Sequence, residues 1–276
     1  MMISLKTSAR TIAVVAAAVF KESVRDRVPV SVVAFTVLLM AMSYLIAQLT
    51  AGQDLKIIKD LGLAALSIFG LMITVFIGIS LVSKEVERRS IYALLSKPVT
   101  REEFLIGKYL GLVTTLAVNL GAMTLAFYGV LFYIDQSASE AMRAAWPAPA
   151  TDPRLLTAIV LIFAELMLIT AVALFFSTFS SPLLAAALTL ALWVAGHFNA
   201  DLRQFETVVD AQPLVYLTRA VYYLLPNLAP FNVKAEVVHG IAVERSHVLL
   251  TLSYAGVYIS ALLLMAVAVF RRRDFK

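Results

Sequence analysis

Apolar runs of about 20 residues alternate along the chain with short charged stretches, and that is the length a helix needs to cross a hydrocarbon core of about 30 Å. Six runs qualify: Val28 to Leu49, Leu61 to Val82, Tyr109 to Phe132, Leu155 to Phe176, Leu183 to Phe198 and Val248 to Phe270. The pattern predicts an all-α membrane protein, one bundle of six transmembrane helices over residues 1–276. Ahead of the first run, Thr11 to Phe20 is apolar but too short to cross, and the charged stretch Lys21 to Arg27 separates it from the span beginning at Val28. Residues 8–27 are therefore expected to form a helix along the cytoplasmic interface, basic side chains toward lipid headgroups. A signal peptide is the alternative, but no small-residue cleavage site comes after Phe20.

Composition agrees. Hydrophobic residues make up 61% and charged residues 15%, against roughly 45–50% and about 25% in soluble domains. The net charge of +5 reports topology rather than a nucleic-acid partner, because its distribution is uneven. Fifteen lysines and arginines fall before span one, between spans two and three and after span six, against eight in the opposite set of loops. By the positive-inside rule both termini and the 83–108 loop are cytoplasmic. The absence of cysteine removes disulfide, iron–sulfur and thiol chemistry.

The largest exported element is 199–247. Within it Pro213 to Pro226 is apolar and tyrosine-rich but broken by Arg219. It is expected to lie at the outer interface, as an anchor or as a lid over an exit path. His197, His239 and His247 lack the i, i+4 spacing of a helical zinc site and read as ordinary interface or loop histidines. No internal repeat is visible, which counts against inverted halves. Six spans make half of a pore-forming body, which a second copy or a related subunit would complete.

No nucleotide site is present. A P-loop needs two glycines framing four residues before Lys-Ser/Thr, whereas Gly107-Lys108 has Glu102 at the first glycine position and Tyr109 at the hydroxyl position. The informative stretch is the 83–108 loop. Glu85, Glu87, Arg88 and Arg89 are followed by Ile91, Leu94 and Leu95, which share one face of a short helix. Pro98 stops that helix, and Thr100 with Glu103 forms the spacing of a capping box that starts another. The small apolar face fits either a groove in a partner protein or the chain's own helices. Gly107 and Gly111 make a small-xxx-small pair suited to close helix packing.

At these residues the chain resembles the membrane permeases of ABC-type exporters of the second class. The resemblance rests on Glu85 to Arg89, Leu94-Leu95, Ser96-Lys97-Pro98-Val99-Thr100-Arg101 and Gly107-Lys108. It extends to the Phe176 to Pro182 turn and the closing Phe270 to Phe275; Arg89-Ser90 departs from the Gly-Thr of many members. What it implies is a multi-pass protein of a bacterial or archaeal inner membrane, working as a dimer. The ATPase would be a separate cytoplasmic subunit that binds ATP and magnesium, and 83–108 would hold the coupling helix. The chain itself would be no enzyme and carry no cofactor. A membrane scaffold or assembly factor docking another partner is the rival reading.

Inside the membrane Glu165 stands out, because an acidic residue at mid-helix costs roughly 2.5–3.5 kcal/mol to insert. Contact with substrate or protons is one use of such a residue. A hydrogen bond to another helix, through Asn119 or Thr124, is another, and a catalytic carboxyl of an intramembrane enzyme is a third.

Overall fold

In a computed structural model of the chain, the structure describes residues 2–25, 54–87, 100–198 and 225–272, with isolated positions between 33 and 45. The elements in order are α1 (Met2–Arg25), α2 (Asp54–Glu87), α3 (Arg101–Ser137), α4 (Glu140–Ala144), α5 (Arg154–Ser177), α6 (Pro182–His197), a 3-10 turn (Ala229–Phe231), α7 (Lys234–Val238) and α8 (Arg245–Arg272). Among the described residues there is no strand, and the fold is all-α.

Among the described residues four helices are long and apolar enough to cross a membrane, within Leu55–Val75, Arg101–Ser137, Arg154–Ser177 and Arg245–Arg271. The expected first span, 28–49, lies outside the described residues apart from isolated positions. The expected fifth falls short, since α6 has 16 residues and rises about 24 Å. Its neighbour α5 has 24 residues, and the two meet at one turn, so α6 stops about 12 Å below the far end of α5. The segment 226–231 fills the difference. Leu228 donates its amide to the Gly196 carbonyl at 3.0 Å, and a Cβ on Gly196 would lie 2.8 Å from the Leu228 side chain.

The centre of the bundle is α5. It is apolar on every face, as a helix surrounded by others must be. Of its spanning window 72% is buried, against 17% for α8, which turns most of its surface outward. Where α5 ends, the hydroxyls of Thr178 and Ser180 donate to the Phe175 and Phe176 carbonyls at 2.7 and 2.6 Å, satisfying groups a helix terminus leaves open. Pro182 then opens α6 at its first turn.

α1 is seated on α3, so the helix expected to lie along the interface over 8–27 rests on protein. Thr11, Ile12, Val15, Ala16, Val19, Phe20 and Ser23 face inward at helical spacing, while Arg10, Lys21 and Glu22 face out. Gly107 and Gly111 allow the approach. A Cβ at either would lie 2.7 Å from the Cβ of Val15 or Val19, so any side chain there displaces α1. The capping box at the start of α3 has both of its bonds: Glu103 N–H donates to Thr100 Oγ1 at 3.3 Å and Thr100 N–H to Glu103 Oε2 at 3.0 Å.

Candidate functional site

Glu165 sits at the middle of α5, 3% exposed. Its partners come from α6. The indole Nε1 of Trp193 donates to Glu165 Oε1 at 2.7 Å, and His197 Nε2 stands 3.5 Å from the same oxygen. The Trp193 and His197 rings, one helical turn apart, pack with centroids 4.7 Å apart. His197 Nδ1 donates to the Trp193 carbonyl at 3.1 Å, so a hydrogen bond between Nε2 and Glu165 requires one proton held between the two side chains. Lys234, on α7, lies within the electrostatic reach of the same carboxyl. Burial pushes the Lys234 ammonium below its usual range, and the carboxylates of Glu165 and then Asp60 draw it back up. The arrangement ties the centre of the bundle to the short helix α6 and to the segment closing over its end.

The helix supplying those partners is a correction. Asn119 Nδ2 donates to the Thr115 carbonyl and Thr124 Oγ1 to the Leu120 carbonyl, each at 2.8 Å, so both α3 candidates hold bonds to their own helix. Register across the α5–α6 turn carried a signal for the observed pair. Glu165 precedes Ser177 by 12 residues and Trp193 comes 11 after Pro182, which sets the two at one height in an antiparallel hairpin. His239 Nδ1 donates to the Ala235 carbonyl and His247 Nε2 to the Pro230 carbonyl, at 2.8 and 2.9 Å. Among the described residues no cluster of histidine and carboxylate is arranged to hold a metal ion.

Two lysines that charge alone would leave in solvent are buried instead. Lys59, counted from the sequence with an exported loop, is 1% exposed and donates through Nζ to the Pro149 carbonyl at 2.7 Å. Lys108 is 2% exposed, its Nζ 4.8 Å from the centroid of the Phe104 ring, a cation–π contact near the start of α3.

For the expected docking residues the structure describes only one edge. Glu85 and Glu87 belong to the last turn of α2; Arg88, Arg89, Ile91, Leu94 and Leu95 lie outside the described residues. The return of the loop is described in full. Arg101 Nη1 donates to the Phe270 and Arg271 carbonyls at 3.1 and 3.0 Å. Glu102 pairs with Arg271, and Phe104 stacks on Phe270 at 6.4 Å with a 17° tilt. None of these contacts was read from the sequence, since they join residues some 170 positions apart.

An all-helical body with several helices long and apolar enough to span defines a multi-pass membrane protein. Residues 13–275 match the family described as ABC-2 family transporter protein, and the chain belongs to that family. It is the membrane component of an ABC transporter, not itself an enzyme, and subunits of this kind associate with an ABC ATPase. No curated protein matches the chain.

Proposed function

We propose that the chain is the permease subunit of an ABC exporter, moving its substrate outward across an inner membrane with energy from a separate cytoplasmic ATPase. Two copies, or one copy with a related subunit, make the transport path. The observation that carries this reading is the family match over nearly the whole chain, joined to a helix that carries the loop off the membrane. The eight residues Arg101 to Lys108 precede the expected third span, and the helix of 37 residues that contains them measures about 55 Å against a core of about 30 Å. Glu85, Glu87, Arg88, Arg89, Ile91, Leu94 and Leu95 then stand where a soluble ATPase can reach them, the apolar three seated in its groove and the charged four around its rim.

Purified in mild detergent, the chain is expected to bring down a P-loop ATPase in near-equal amount; recovery with no ATPase, or with a different partner, favours the scaffold reading instead. Orientation is tested separately, in a chain that has no cysteine of its own. With both termini cytoplasmic, an impermeant maleimide added to intact cells should label Asn232→Cys, an exposed position, and leave Lys97→Cys unlabelled. Labelling of Lys97→Cys without lysis would overturn the orientation.

A further inference from the structure

The last helix is gripped at both ends. At its cytoplasmic end the final carbonyls, which a helix cannot satisfy internally, accept from the Arg101 guanidinium at 3.1 and 3.0 Å. A cation is favoured there by the helix dipole. Glu102 and Phe104 hold Arg271 and Phe270 beside it. These three residues lie in the first turn of α3, directly after Thr100, so the start of α3 is fixed to the end of α8.

At its exported end α8 holds the segment that closes over α6. His247 Nε2 donates to the Pro230 carbonyl at 2.9 Å, and the amide of Asn227 donates to the Tyr254 hydroxyl at 2.9 Å. His247 and Tyr254 are seven residues apart and share one face of the helix. The Phe231 and Tyr254 ring centroids are 6.4 Å apart. A cleft of about 320 Å³ lined by Asn227, Pro230, His247, Leu250, Thr251 and Tyr254 lies along this seam, so helix and segment touch through a few directed contacts with room between them to shift. The 28 residues of α8 span about 42 Å as one continuous helix without a proline; Gly256, whose carbonyl accepts from Ser260 Oγ at 2.7 Å, is the place where such a helix can bend.

We propose that Arg101 is a positioning residue that locks α8 to the ATPase-facing loop, so that movement of the loop is carried along α8 to the exported segment 226–231. The inference rests on the permease reading, because it needs an ATPase to move the loop. α3 and α8 therefore travel as one piece at their cytoplasmic ends, and α8 carries the movement to the exported segment as one continuous helix. A role for Arg101 in stability alone would leave signalling between the two faces intact.

The test uses the complex of the chain with its copurified ATPase, ATP–Mg and vanadate, and a single cysteine at Leu228, which is 0% exposed at rest. Nucleotide trapping is expected to change the maleimide reactivity of Leu228→Cys by about tenfold, equivalent to about 1.4 kcal/mol of opening free energy. In Arg101→Ala the ATPase should still copurify, while the change at Leu228→Cys falls below about twofold. A short cross-link between Phe104→Cys and Phe270→Cys, which consumes both thiols, should restore the response in Arg101→Ala and leave it intact where Arg101 is present. An Arg101→Ala complex that responds like its parent overturns the inference. So does a cross-link that abolishes the response with Arg101 in place, a result readable even where Arg101→Ala does not assemble. A parent chain that retains no ATPase overturns the permease reading and this inference with it, whereas the first two outcomes leave that reading standing.

Discussion

Leu94→Asp combined with Leu95→Asp is expected to release the ATPase from the complex while the chain still inserts and dimerises. The expectation comes from chemistry legible in the loop: Ile91, Leu94 and Leu95 are the apolar residues of one helical face within a stretch otherwise charged. A small apolar face among charges gains little by lying in solvent and much by filling a groove. Each buried aliphatic side chain contributes about 1.5–3 kcal/mol, so losing two weakens the contact by about 3–6 kcal/mol, or two to four orders of magnitude in Kd. The aspartates add the further cost of bringing charge into an apolar groove. Changes at Glu85, Glu87, Arg88 or Arg89 should matter far less singly, because exposed ion pairs contribute about 0–1 kcal/mol. Copurification in mild detergent, with the stimulated ATPase rate of whatever is retained, reads the outcome. A double variant that keeps a normal amount of ATPase and stimulates it normally would show that the loop packs elsewhere, and the docking assignment would go with it.

What the sequence made legible was chemistry whose partners are close neighbours in the chain. Thr100 and Glu103 are three residues apart, so their spacing alone announces a capping box, and both bonds are present. Gly107 and Gly111 share one helix face, and that face is where α1 comes closest to α3. Which helix would fill that notch was a different matter. The inward face of α1 repeats at helical spacing whether it meets protein or lipid, since both reward apolar side chains alike. Partner choice at Glu165 was hidden for a related reason. Asn119 and Thr124 looked available because they are polar and within the membrane, yet each can satisfy itself on the carbonyl four residues earlier, as hydroxyls and amides on helices do. Trp193 cannot, because its indole N–H is a donor set at the end of a long rigid side chain, and it must find an acceptor on another helix. The clamp at Arg101 lay furthest from reach, since it depends on where α8 ends relative to α3.

Replacement of Glu165 by leucine is expected to destabilise the protein by more than the loss of one hydrogen bond, because several groups converge on its buried carboxyl. Leucine matches the volume of the site well enough, so the loss is electrostatic. It leaves the Trp193 indole N–H, now 2.7 Å from Glu165 Oε1, with no acceptor, alone worth about 1–3 kcal/mol. It also takes the nearest opposing charge from Lys234, which burial already disfavours as a cation, and so loosens α7 from the bundle. Glu165→Gln should be far milder in stability, because its carbonyl oxygen can still accept from Trp193. Thermal unfolding of the purified complex measures the first effect, and stimulated ATP hydrolysis measures the second. The contrast between the two variants separates the uses of the carboxylate. If Glu165→Gln is stable and fully active, the group serves as a hydrogen-bonding joint between α5, α6 and the exported segment. If it is stable but uncoupled, the negative charge or the proton shared with His197 is needed for transport. Adding Trp193→Phe to Glu165→Leu should cost less than the two changes summed, since the donor that leucine strands is then gone, and a cycle of this kind isolates the pair. Wild-type stability and coupling in Glu165→Leu would sink the assignment of any role to this residue, packing or transport.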